Sequence, residues 1–177
     1  MPSDGSNGYV FDWTHLGDID LGRPNLGPNI GVGTYRLMRY TMRHVLTQRL
    51  GDEKAREMFV EAGRLAGAEF CKHSFEARLD FPEFVVRIQE RLKAMHIGIF
   101  RVEKADPDAL QFVFTVHEDL DCSGLPVLGQ TVCEYDEGFI AGLLNFFYQR
   151  EFRVKEIDCW AAGGRVCRFQ AHVAEGE

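Results

Sequence analysis

The sequence has no run of eighteen apolar residues, so no segment reads as membrane-spanning. It has no excess of basic charge either. Lys and Arg number 20 against 27 Asp and Glu, and the net charge of −7 argues against a face for nucleic acid. The opening stretch MPSDGSNGYVFDW lacks the basic region and apolar core of a secretory signal. Cysteines are few and odd in number, five in all, which speaks for reduced thiols rather than a disulfide framework. A soluble cytoplasmic protein is therefore expected. The Gly31-Val-Gly33 pair has no preceding strand, no third glycine and no P-loop lysine, which sets a nucleotide loop aside. What is present in quantity is apolar bulk: 45% hydrophobic residues, 14 of them Phe, enough for one well-filled domain over 177 residues.

Residues 1–33 are dense in Gly, Pro, Asn and Asp and read as an arm with one short strand over Tyr9–Trp13. Residues 34–177 read as one α+β domain in the order α-α-α-β-β-α-β-β, with helices on one face of a four- to five-stranded antiparallel sheet. The first helix is expected over Thr34–Leu50, capped by Thr34 and ended by Gly51. Leu37, Met38, Met42, Val45 and Leu46 form its buried stripe, and Arg36, Arg39, Arg43 and Arg49 its solvated side. The second, Asp52–Lys72, carries small residues at 62, 63 and 66–68 that suit close packing by another element. The third opens at Phe81-Pro82 and buries Phe84, Val85, Ile88, Leu92 and Met95. Strands follow over Ile99–Val102 and Leu110–His117, the latter alternating Phe112 and Phe114 with polar neighbours. After a polar loop comes a helix from Cys133 to about Arg150. A hairpin of Phe152–Trp160 and Arg165–Val173 then turns at Gly163-Gly164.

Cys133, Glu156, Cys159 and Cys167 stand at the spacing C-x22-E-x2-C-x7-C. A hairpin centred on Gly163 sets Cys159 opposite Cys167, close enough for one ion to bridge them. Cys133 sits at a helix start, where backbone N–H groups favour a thiolate. Glu156 and Cys159 are an odd number of residues apart, so in a regular strand they point to opposite faces, and a bulge between them is required for joint ligation. Zinc, buried reduced thiols and a Cys159–Cys167 disulfide are the three accounts the spacing leaves open.

From Glu134 onward the segments EGFIAGLL and KEIDCWAAGGRVCRF resemble the 4-vinyl reductase domain family, with matches at Cys133, Gly138, Gly142, Glu156, Cys159, Gly163, Cys167 and Phe169. That family is named after a protein linked to bacteriochlorophyll synthesis and includes sensor domains of transcription activators that respond to aromatic compounds. The resemblance implies zinc held by Cys133, Glu156, Cys159 and Cys167. It also implies a fold shared with haem nitric-oxide sensors and vesicle-tethering subunits. The haem relatives use Tyr-x-Ser-x-Arg, whereas Tyr35-Arg-Leu-Met-Arg39 has a different spacing and no serine, so haem is set aside.

The function expected is the binding of a small apolar or aromatic molecule, without transforming it. Its pocket is placed between helices and sheet and lined by Phe84, Phe112, Phe114 and Phe147, with His117 and Trp160 as polar handles. One alternative is reduction of a tetrapyrrole vinyl group, for which no dinucleotide fingerprint stands in the sequence. Another is a thiol redox switch with Cys122 as an additional thiol. The apolar content of the arm (Tyr9, Val10, Phe11, Trp13, Leu16, Ile19, Leu21) suggests a homodimer joined through the arm and first helix.

Overall fold

Phe100, Phe112, Phe114, Phe152 and Phe169 point from one sheet face into a continuous core, and the rest of the chain is arranged over them. The computed structural model describes residues 8–75 and 79–174. The first seven residues of the expected arm and the last three of the domain lie outside that range. The sheet has four antiparallel strands in the order β1-β2-β4-β3, with β1 Ile99–Asp106, β2 Gln111–His117, β3 Phe152–Asp158 and β4 Cys167–Val173. Phe114 pairs with Phe169 across the central β2–β4 ladder. Alternation places their rings on the same face, the one the helices cover.

Among the described residues, five α-helices complete the fold: α1 Ile19–Gly22, α2 Val32–Leu50, α3 Asp52–Ser74, α4 Phe81–Ala94 and α5 Glu134–Tyr148. Helix α4 starts where the sequence indicates. Asp80 accepts from the Glu83 N–H, Glu83 reaches back to the Asp80 N–H, and proline occupies the first turn. Phe84, Ile88 and Leu92 are its buried face. Of these helices α4 and α5 pack extensively on the sheet, against β1 and β3 respectively, while α3 lies along α5 and α2 along α3. The expectation that all three early helices cover the sheet is corrected to two helical layers.

The α3–α5 contact is made by glycines. A Cβ on Gly63 would overlap the Tyr135 carbonyl oxygen, and one on Gly67 that of Phe139. In return, Cβ atoms on Gly138 and Gly142 would overlap the carbonyl oxygens of Val60 and Arg64. Each helix sets its missing side chains against the other's backbone, so the axes approach closer than any larger residue permits. The small residues of α3 therefore serve helix packing.

Helix α2 inverts its expected orientation. Leu37, Met38, Met42 and Val45 are 67%, 58%, 52% and 49% exposed, whereas Arg39 is only 4% exposed. The arginines turn inward because the loop after β2 and the start of α5 offer them acceptors. Arg36 donates to the carbonyls of Leu120 and Ser123, Arg39 to that of Val132, and Arg43 to the Glu134 carboxylate, which Arg56 also pairs. Buried acceptors with charged donors outweigh an apolar stripe that has nothing to pack on. The cap differs as well: Gly31, not Thr34, precedes the helix. In the arm, Trp13–Leu16 is a 3-10 turn capped by Asp12 rather than part of a strand over Tyr9–Trp13.

Candidate functional site

Four thiols converge where the β3–β4 hairpin, the start of α5 and the loop after β2 meet. The Sγ atoms of Cys122, Cys133, Cys159 and Cys167 all lie within 4.8 Å of one another, and all four residues are buried. Cys133 is the N-cap residue of α5. The ladder register shifts between Glu156 and Asp158, which is the irregularity that the odd Glu156–Cys159 spacing demanded. Beyond it, a 3-10 turn over Trp160–Ala162 and Gly163, at φ 101, fold the chain back so that the carbonyl of Cys159 accepts from Ala162 and Gly164. Cys167 opens β4.

The spacings suit a cation. Cys133 Sγ is 3.9 Å from Cys159 Sγ and 3.8 Å from Cys167 Sγ, near the roughly 3.8 Å edge of a tetrahedron with metal–sulfur bonds of about 2.3 Å. Cys122 Sγ lies 3.0 Å from Cys167 Sγ. The electrostatics agree. Hydrogen bonding from Cys122 and the other thiols pushes Cys159 well below the ordinary thiol range, while neighbouring sulfurs push Cys133 and Cys167 far above it. One thiolate is thus held by its protonated neighbours, and only a positive charge among them would let the others ionise. This buried cluster can coordinate a metal ion.

Glu156 stands beside the thiols in a different role from the one its spacing suggested. Its Oε2 accepts the backbone N–H of Cys133 at 3.0 Å, and Oε1 is buried without a partner among the described residues. Burial, with Cys159 next in effect, pushes its carboxyl up to about 8. Cys122 takes the place in the cluster that the sequence had offered Glu156. No spacing rule points to Cys122, because its loop has no periodicity. Tertiary hydrogen bonds set that loop's path: Leu120 N–H donates to Ile97 O, Asp119 Oδ1 accepts from the N–H groups of Asp121 and Cys122, and Trp160 Nε1 donates to Leu125 O.

The aromatic residues singled out in the sequence fall into two places. Phe84, Phe112, Phe114 and Phe147 fill the space between α4, α5 and the sheet. Phe84 stacks on Phe147 at 4.6 Å and Phe112 on Phe114 at 5.7 Å, and Phe81 closes on both Phe112 and Phe147. His117 and Trp160 lie elsewhere, half-buried along a polar groove with Arg36, His96, Arg101 and Arg165.

A cavity of about 580 Å³ opens instead in the outer helical layer, between α2, α3, α5, the arm and the loop after β2. Its walls are apolar, with Phe11 and Trp13 of the arm, Met38 and Met42 of α2, Phe59 and Phe70 of α3, and Phe139 of α5. Its floor is polar: Tyr35, Arg39, Asp119, Asp121 and Asp136. Tyr35 donates its hydroxyl to Asp121 Oδ1 at 2.8 Å, and Arg39 Nη2 lies 2.8 Å from Asp121 Oδ2. Burial, and then the charge of Asp121, push Asp119 up to about 7, and burial drives Asp136 well above the carboxylate range. Asp119, Asp136 and Cys133 place their ligand atoms within 4.8 Å of one another, so the cavity floor adjoins the thiol cluster. Sequence reading missed this cavity because it assigned the α2 arginines to solvent.

Among the described residues, no helix is long and apolar enough to cross a membrane. Residues 112–173 match the 4-vinyl reductase domain. The chain is 23% identical over 152 residues to protein MJ1642 of Methanocaldococcus jannaschii, covering 86% of this chain and 83% of that one. Three solved structures share its fold. The phenol-responsive sensory domain of the transcription activator PoxR with phenol matches at a TM-score of 0.61 and 17% identity, over 81% of this chain and 75% of that one. A vinyl-4-reductase family protein from M. jannaschii gives 0.58 and 13%, over 84% and 85%. A trafficking protein particle complex subunit 3 from Naegleria fowleri, covalently bound to palmitic acid, gives 0.57 and 16%, over 79% and 95%. The four-stranded sheet, the α5 helix set on it and the match over 112–173 together give this chain the fold of the 4-vinyl reductase domain, which it shares with these sensory, reductase-family and vesicle-tethering proteins.

Proposed function

We propose that the chain is a zinc-containing domain that binds a small apolar or aromatic molecule in the cavity framed by α2, α3 and α5. The cavity carries this reading: about 580 Å³ of apolar-walled space with a few polar groups at one end, the composition of a small-molecule site. Fold relatives add support, since PoxR is described with phenol and the trafficking subunit with palmitic acid. Zinc suits four thiols in a closed, buried site, with Cys122, Cys133, Cys159 and Cys167 as its ligands and Glu156 orienting the Cys133 backbone. There it would tie the loop after β2, the start of α5 and the hairpin to one point, and buried reduced thiols fit a cytoplasmic setting. Thermal shift of the full chain across a panel of neutral apolar and aromatic molecules tests the binding. The melting temperature should rise with some of them, and Ala66→Phe, which fills the cavity from α3, should abolish the rise. A panel without any shift would remove the binding reading.

A homodimer belongs to the same proposal. The exposed stripe Leu37, Met38, Met42 and Val45 is an apolar face on a helix that also walls the cavity through Met38 and Met42. A second copy packed across α2 and the arm would cover that stripe and the cavity rim together. Sedimentation is expected to give a dimer at micromolar concentration, and Val45→Glu should shift it to monomer. A monomeric unaltered chain would refute the pairing.

A further inference from the structure

The cavity floor says what kind of molecule the site takes, given the binding proposed above. Arg39 is 4% exposed, lines the cavity and spends only one edge of its guanidinium on the described residues: Nη2 donates to Val132 O and faces Asp121 Oδ2. Its Nε and Nη1 are buried and have no partner among them. Phe59, over whose ring the guanidinium sits at 5.5 Å, supplies no acceptor for them. A buried charged donor left unpaired is costly, so a molecule entering here gains most by offering that edge an oxygen. A bare hydrocarbon would leave it unpaired.

The surroundings restrict the charge of that oxygen. Asp119, Asp121 and Asp136 line the same floor, each strongly buried. Asp121 already neutralises Arg39, so a carboxylate or phosphate head would meet the remaining acidic groups without a free cation of its own. A cationic head would instead be set against the free edge of Arg39. We infer that the cavity takes a neutral apolar molecule bearing one hydrogen-bond acceptor, a hydroxyl, ester or amide oxygen, which docks on the Nε–Nη1 edge of Arg39 while its apolar body lies among Phe59, Phe70 and Phe139.

The test is a matched series on one body: decanol, methyl decanoate, decanoate, decylammonium and decane, titrated against the full metal-loaded chain by displacement of a cavity-bound fluorescent dye. Decanol and methyl decanoate should bind at least tenfold tighter than the other three. Arg39→Lys keeps a cation for Asp121 but lacks the planar second edge, and should bring the neutral pair within about threefold of decane. Should that variant fail to fold by circular dichroism, Arg39→Gln takes its place with the same expectation. Tighter binding of decanoate or decylammonium overturns the neutral head. Equal binding of all five shows a cavity that does not read the head, and overturns the role of Arg39 while leaving the binding site standing. Binding of none, and of no aromatic in the panel above, overturns both.

Discussion

Cys167→Ser is expected to strip the metal from the protein and to lower its melting temperature by roughly 10 °C or more, several kcal/mol for a chain of this size. The effect is large because Cys167 opens β4 while its sulfur approaches those of Cys122 and Cys133 from two other elements. Losing the ion would release the loop after β2, the N-cap of α5 and the hairpin together. Elemental analysis of protein purified without added metal should find one zinc per unaltered chain and almost none in the variant. A pair of further variants separates the ligand sets. Cys122→Ser should lose the metal as Cys167→Ser does, whereas Glu156→Gln should keep it, because the glutamine oxygen can still accept the Cys133 N–H. Retention by Cys122→Ser with loss by Glu156→Gln would return the fourth position to the glutamate. An unaltered chain without zinc and with all thiols freely titratable would end the metal proposal.

Gly138→Ala should destabilise the fold by about 3 kcal/mol or more, although it adds a single methyl group and improves helix propensity. Its Cβ would meet the Val60 carbonyl and the Arg64 N–H, backbone atoms of α3 that cannot rotate away, so the helices must part. Separating them loosens Gly63, Gly67 and Gly142 as well, and with them the wall of the cavity. Gly33→Ala is the control: it lies in the first turn of α2 with nothing within 4 Å of a Cβ, and should be neutral or stabilising by up to about 1 kcal/mol. Chemical denaturation of the three proteins measures the difference. Equal midpoints for Gly138→Ala and the unaltered chain would mean that the α3–α5 contact is slack.

The sequence by itself determined the parts of this protein that rest on local chemistry. Asp80-Phe-Pro-Glu83 specified a helix start through its own caps, and alternation of Phe112 and Phe114 specified a half-buried strand. The spacing of Glu156, Cys159 and Cys167 called for a bulge and a hairpin, and both are there. Only the tertiary structure decided the matters in which distant partners compete. A helical stripe shows that α2 is amphipathic, but which side faces inward depends on what waits there. Carbonyls of a loop more than 80 residues away, with Asp121 and Glu134, drew the arginines in and left Leu37, Met38 and Met42 outside. The same loop carried Cys122 to the other thiols, by hydrogen bonds that no period in its sequence encodes. Cavity position followed from both choices. Rings that could have lined a pocket over the sheet found one another and packed, and the space remained where inward-facing arginine, aspartate and glycine kept the outer helices from filling it.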